Sequence, residues 1–464
     1  MNTRDYIQIC ASQLADTNTY VQVDTFPATT IHRNLQNTLI EHSRVLKPHK
    51  NLHNFLLPQP NKTQTPKFYG IPKIHKKFTS LPPVRPIVSH SNSLLAPTAK
   101  FIDHVLQPLA RSHQDSLLNS SSLLRILQYM HIPDDAFLVT IDVESLYPSI
   151  PQKECLEIIY EEMHAKKHLL LFDPNLFIKL LHTNVTSNFF EFGPITFKQV
   201  KGTAMGAAFS PTIANIFMSI IASQPKKPHL LKRYIDDIFI IWEHSLEDLL
   251  NFLSALNCFH ATLRYTWTFS KTSADYLDIT IFKGLAFPAT NLLDTKTFQK
   301  TQNLYQYLHF NSCHPMSTFK GLIIGECIRY VRINSSKDNY LATLEQFKQR
   351  LYKRQYPTAL VNKITQKINH EQRRNYLKEP TIANISKPKP TFKCLPPPHY
   401  NALKAIILQH YHMVQRFAPR PRFIPLRHKK LGEDLIRAKI YPTDEQFVDM
   451  VLTTSQEFHS LNST

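Results

Sequence analysis

Two adjacent carboxylates, Asp236 and Asp237, sit inside LLKRYIDDIFIIW, flanked by Tyr234, Ile235, Ile238 and Phe239. Acids in such apolar company repel one another and resist desolvation unless a cation relieves them. A third carboxylate, Asp142, closes the apolar run AFLVTI; taken alone, it would more often be a turn or cap residue. Together the three could hold divalent ions roughly 3.5 to 4 Å apart. Nucleotidyl transfer from a triphosphate needs such ions on the attacking and leaving oxygens, and hard cations of this kind take carboxylate ligands.

The flanking segments must bring these acids together. Ala136 to Ile141 reads as a buried strand, a compact apolar run with Val and Thr. Pro148 and Pro151 interrupt the chain beyond it, and QKECLEIIYEEMHAK then predicts a helix whose apolar face is Leu156, Ile159, Tyr160 and Met163. LLKRYIDDIFIIW predicts strand, turn, strand with the acids at the bend, where a glycine would turn more easily. ADYLDITIFKG predicts a further strand pair. Only 8 glycines occur in the chain, where average usage near 7% would supply about four times as many. Gly70 lies in YGIPK, and Gly202 and Gly206 share KGTAMGAAFSP, a loop opening into a helix capped by Ser210, with Pro211 in its first turn and Ile213, Ile216, Phe217, Ile220 and Ile221 on its apolar face. Residues 1 to 60 read as helical and polar, the Pro-bearing stretch to about 86 as extended, and the chain beyond about 290 as helical and basic, with a linker near KPKPTFKCLPPPH.

The 464 residues carry 54 Lys and Arg against 35 Asp and Glu, a formal charge of +19. That balance suits a polyanion, nucleic acid first. No apolar run approaches the roughly 18 residues a membrane crossing needs, and MNTRDYIQICASQL lacks the pattern of a secretory leader. Six scattered cysteines fit reduced thiols rather than a disulfide scaffold. Cys394, His399, His410 and His412 match no common zinc spacing and read as surface residues. RHKK, near residue 430, reads as an import signal or as phosphate-contacting charge.

YIDDIFIIW, LVTIDVESLYPSIP, KGTAMGAAFSPTIANIFM and YGIPKIHK with VRPIVS resemble, in spelling and in order, the motifs of Penelope-like retroelement reverse transcriptases. The resemblance runs from near residue 5 to about 440 and includes LYQYLHFNSCHP and LYKRQYP. It implies an α+β right-hand polymerase with fingers, palm and thumb, an antiparallel palm sheet packed on helices. The implied divisions are an N-terminal helical extension (1–60), fingers (61–130), palm (131–290), thumb (291–375) and a basic C-terminal region (376–464). The implied activity is RNA-directed DNA synthesis for a retrotransposon, extending a primer 3′-hydroxyl with deoxynucleotides on an RNA template, through a DNA primer or an RNA–DNA hybrid. Two Mg²⁺ ions, with Mn²⁺ as an alternative, would be bound by Asp142 and Asp236 with Asp237 in support. Tyr147 would sit under the incoming sugar and exclude a 2′-hydroxyl, Lys73 and Arg85 would hold the triphosphate with Lys76 and Lys77 as substitutes, and Gly202 and Gly206 would let backbone approach the nucleotide. Lys271 is a candidate proton donor. The chain departs from the family in Gln355, where a glycine is expected, and in the lack of a GIY-YIG endonuclease after the polymerase; Ala204 and Met205 stand where many other reverse transcriptases carry Pro-Gln. Its start suggests a truncated copy. The expected setting has no membrane and is intracellular, nuclear with a cytoplasmic phase. The competing reading is an inactive relic that only binds nucleic acid.

Overall fold

The computed structural model describes residues 1–58, 60–74, 78–166, 168, 173–223, 228–300, 303–379, 391–394, 400–413 and 422–425. Lys76, Lys77, His399 and the RHKK cluster lie outside them. One compact unit spans Met1–Leu377, and a second lies within Lys378–Pro442; in the latter, Thr391–Cys394 pairs in parallel with Arg422–Pro425.

Phe137–Val143 is the strand on which the first unit is organised. Strand alternation sends Val139, Ile141 and Val143 to one face and Leu138, Thr140 and Asp142 to the other. Asp237–Trp242 and Tyr265–Ser270 flank it, and Leu230–Tyr234 completes a four-stranded sheet that is antiparallel throughout. The back of this sheet is buried with Ile102, Ile159, Leu180 and Ile213, residues of four helices, in the largest core. On the front, a three-stranded sheet (Ser273–Tyr276, Ile279–Phe282, Asp294–Thr297) packs Tyr276, Ile279 and Ile281 over Leu138, Phe239 and Ile241. Beyond that cover Thr140 is half-buried and Asp142 exposed. Polar residues of the sheet, the acids among them, thus reach solvent beyond that cover.

A five-stranded sheet joins Tyr20–Val23, Ile195–Gln199, Phe189–Phe192, Lys67–Pro72 and Val84–Ser89 in that order. Tyr20–Val23 lies in the stretch the sequence reads as helical, and is a strand because it pairs with Ile195–Gln199 far along the chain. Gly70 leaves no room for a side chain against the Cys10 sulfur and Val84.

Two helical readings are corrected. Gln152–Ala165 buries Cys155, Ile159 and Met163, an i, i+4, i+8 row, whereas Tyr160 is 47% exposed. Ser210 does not cap its helix: Phe209 holds the N-cap position, and the Ser210 hydroxyl donates to the Ala204 carbonyl at 2.6 Å, tying the loop to the helix behind it.

Met316–Ile333, Lys337–Tyr352 and Thr358–Thr365 share a separate core around Ile323, Phe347 and Val361. Between the last two, Gln355 adopts φ +64°, a conformation that costs most L-residues roughly 1–2 kcal/mol. This gives a physical reason for glycine there. Gln355→Gly is expected to stabilise the protein by about 1 kcal/mol in urea unfolding, net of the exposed bond from Asn311 at 2.6 Å; a loss of stability would show that this bond outweighs the strain. No helix among the described residues is long and apolar enough to cross a membrane.

Candidate active site

Antiparallel register places Asp142 directly opposite Asp237. Cross-strand neighbours of this kind have Cβ atoms about 5 Å apart, and like charges there destabilise the pair. Tyr234 pairs with Asp237, so Ile235 and Asp236 form a two-residue turn. Ile235 takes φ +57° in that turn. A β-branched residue in the left-handed region is an outlier costing roughly 1–3 kcal/mol. It is held there by the packing of Ile235 on the main core. Thus a strained turn carries one acid and register brings two others alongside.

The electrostatics follow from that crowding. Burial raises the Asp236 pKa, and the charge of Asp142 adds to the rise, while Arg85 and the turn's backbone N–H groups oppose it. Asp237 is pushed up to about 6, by burial first and then by Asp236 and Asp142, against an opposing pull from Lys300. Tyr276 donates its hydroxyl to the Asp237 carbonyl at 3.0 Å, bracing the strand from below. The donor set therefore fits a hard divalent cation: oxygen-only, anionic, and under mutual repulsion that a cation would relieve. Among the described residues no group of three or more His, Cys, Asp or Glu side chains is arranged to hold a metal by itself.

Tyr147 belongs to the same cluster. Burial pushes its pKa up to about 12, with Asp236 adding to the rise and Arg85 opposing it. The charge of Arg85 thus acts on both the turn and Tyr147. It lies on Val84–Ser89 opposite Ile71, and alternation puts Tyr69, Ile71 and Lys73 on that same solvent-facing side. The Lys73 backbone N–H is held by the Pro83 carbonyl at 2.8 Å.

Both loop glycines have reasons inside the protein. Gly202, at φ +76°, lies where a Cβ would fall 2.5 Å from the Tyr147 carbonyl oxygen, and the next residue, Thr203, donates its N–H to that oxygen at 2.9 Å. Gly206, at φ +132°, would overlap the Val88 carbonyl if it carried a Cβ, and Val88 donates its N–H to the Met205 carbonyl at 2.9 Å. The loop is a clamp between Tyr147 and the strand of Arg85, and its glycines admit the chain's own backbone.

Lys271 is not part of this cluster. Its ammonium lies 4.9 Å from the centre of the Phe137 ring, at the far end of the strand that carries Asp142. Five residues of strand separate the two ends, about 17 Å, which is too far for proton transfer at the acids. Sequence reasoning missed Lys300, a lone lysine in a polar stretch, and Tyr276; it also missed Arg233, whose guanidinium is fully buried behind the turn. A charge inside LLKRYIDDIFIIW was the available signal for the last.

The family profile for reverse transcriptase (RNA-dependent DNA polymerase) matches residues 74–308, and that for the animal helix-turn-helix domain matches residues 306–366. No curated protein matches the chain. Telomerase from Candida albicans in complex with a TWJ fragment of telomeric RNA superposes with TM-score 0.50 at 13% identity, covering 79% of this chain and 61% of that one. Apo telomerase from Candida tropicalis gives 0.44 at 12% identity, covering 81% and 62%. The Candida tropicalis enzyme with a TWJ fragment of telomeric RNA gives 0.41 at 13%, covering 85% and 65%. The chain thus spans about three fifths of these proteins' length, and at such identities the likeness speaks to fold alone.

Proposed function

The chain belongs to the reverse transcriptase (RNA-dependent DNA polymerase) family, and from that premise we propose that it is an RNA-directed DNA polymerase, of the Penelope-like retroelement kind, that extends a primer 3′-hydroxyl with deoxynucleotides. The observation that carries the proposal is the pairing of Asp142 with Asp237 beside the Ile235–Asp236 turn, with Tyr147 and Arg85 in electrostatic reach. The Penelope-like assignment is supported by the spellings YIDD, DVESLY and KGTAMG and their order.

Asp142 and Asp236, supported by Asp237, would hold two Mg²⁺ ions. When bound, the ions supply positive charge where the attacking and leaving oxygens gain negative charge. Arg85 offers a bidentate fork to the triphosphate, with Lys73 on the same face as a point charge. Asp236 and Asp237, crowded by burial and by one another, favour whatever brings cations to them. Tyr147, fixed by the clamp of residues 201–206, is held as the floor for the incoming sugar. Gly202 and Gly206 keep that floor in place, and in this proposal they also leave room for the nucleotide.

The test is primer extension by purified protein on an RNA template with Mg²⁺ and deoxynucleotides. Template-dependent extension is expected; none, with wild type and Asp236→Asn alike inert, would remove the claim. Tyr147→Ala is expected to raise ribonucleotide incorporation relative to deoxynucleotide by roughly 10- to 100-fold, the range a lost steric contact supplies. An unchanged ratio would take the sugar-sensing role from Tyr147. A nuclear setting is proposed on the same footing, since an inserting element needs the chromosome.

A further inference from the structure

A cavity of about 190 Å³ opens in front of the acids. Its walls include three carboxylates (Asp142, Asp237, Asp275) and three threonines (Thr140, Thr266, Thr268), and no cationic side chain lines it among the described residues. A phosphate would meet the negative charge of the three lining carboxylates there. A neutral polyol would meet hydroxyl groups.

The hydroxyls are ordered by register. Thr266 stands opposite Asp142, and Thr268 opposite Thr140, so the row starts one strand from the carboxylate and runs about 7 Å along it. The Thr140 and Thr268 hydroxyl oxygens are 2.8 Å apart. Only one donor is used between them, which leaves the other for a ligand. Among the described residues the Thr266 hydroxyl bonds no protein group. Asp275 is engaged, accepting from Thr280 at 2.5 Å. Leu277, at φ +55°, forms the tip of the hairpin that closes the cavity.

We infer that this cavity takes the sugar of the primer's 3′-terminal nucleotide and that Thr266 and Thr268 read its 2′ position. The inference rests on the polymerase reading above. A reacting 3′-hydroxyl has to lie beside the acids that would hold the metals, Asp142 among them, and Thr266 stands one strand spacing, about 4.8 Å, from Asp142. A 2′-hydroxyl is both donor and acceptor and is what distinguishes RNA from DNA at such a contact. This site is separate from Tyr147, which senses the incoming sugar from the side of Asp236 and Arg85. The two positions set different preferences, one for the monomer and one for the primer.

The experiment uses two primers on one RNA template, identical except that one ends in a ribonucleotide and the other in a deoxynucleotide. The wild type is expected to favour the ribonucleotide end in kcat/KM by roughly three- to tenfold, the value of one neutral hydrogen bond. Thr266→Val with Thr268→Val should bring the ratio to one, and Thr266→Ser with Thr268→Ser should keep it. A wild type indifferent to the primer end, or a ratio unmoved by the Val pair, overturns the inference while leaving the polymerase reading intact. Failure to extend either primer overturns both.

Discussion

Asp236→Asn is expected to abolish primer extension while raising the melting temperature of the metal-free protein. The first half follows from charge: a hard cation bound by an amide in place of a carboxylate loses an anionic ligand, and metal stabilisation of the reacting oxygens is worth several kcal/mol. At about 1.4 kcal/mol per decade, the rate falls roughly 10³-fold or more. The second half follows from the raised pKa values of Asp236 and Asp237. An acid whose pKa is higher folded than unfolded stabilises the fold fully below its unfolded value, near 3.9, and that contribution is lost as pH rises through the folded value, about 6 for Asp237. Above pH 7 the wild type therefore carries the whole repulsion among Asp142, Asp236 and Asp237, and the Asn variant carries less. Thermal melts without metal should show the variant above the wild type at pH 8 and the two converging near pH 4. Mg²⁺ should raise the wild type more than the variant. A variant that extends primers at the wild-type rate, or that melts below the wild type at pH 8, contradicts the account.

Strands and turns near the acids were legible because their apolar residues alternate or run together. AFLVTI became Phe137–Val143, and LLKRYIDDIFIIW became the hairpin Leu230–Trp242. The register between them was not legible. Nothing local says that Asp142 faces Asp237, since pairing is set by contacts 95 residues apart in sequence. Lys300 escaped for the same reason: its pull on Asp237 comes from the path of the chain after Thr297. Tyr20–Val23 escaped because an edge strand has half the signal of a central one, and its partner lies near residue 199. The glycines show the reverse case. Their rarity marked Gly202 and Gly206 as meaningful, yet which atoms they admit, Tyr147 and Val88 carbonyls, depended on the packed fold. Gln355 could be flagged through the family resemblance as standing where a glycine is expected, and the backbone at φ +64° supplies the physical ground.

Arg233→Met should cost about 3–5 kcal/mol, the range for leaving one member of a buried ion pair without its partner. Arg233 is fully buried, and its Nε binds the Asp115 carboxylate. One terminal nitrogen donates to the Asn215 side-chain oxygen at 2.8 Å. The backbone repeats the attachment, with the Arg233 N–H donating to the Asp115 carbonyl and the Leu117 N–H donating to the Arg233 carbonyl, both at 2.8 Å. Burial lowers the Arg233 pKa and the charge of Asp115 opposes that fall, which marks the pair as interdependent. Removing the guanidinium leaves Asp115, itself 9% exposed, as an uncompensated charge. Arg233→Met with Asp115→Leu removes both charges and should recover much of the loss, so urea unfolding of the two singles and the double should show strong non-additivity. Additive losses, or a single loss under about 1 kcal/mol, would mean that the pair is not what anchors this strand. Because Arg233 lies two residues before the strained Ile235, the double variant also separates anchoring from stability. If it regains stability but extends primers poorly, the buried pair serves to aim Asp236 rather than to hold the fold.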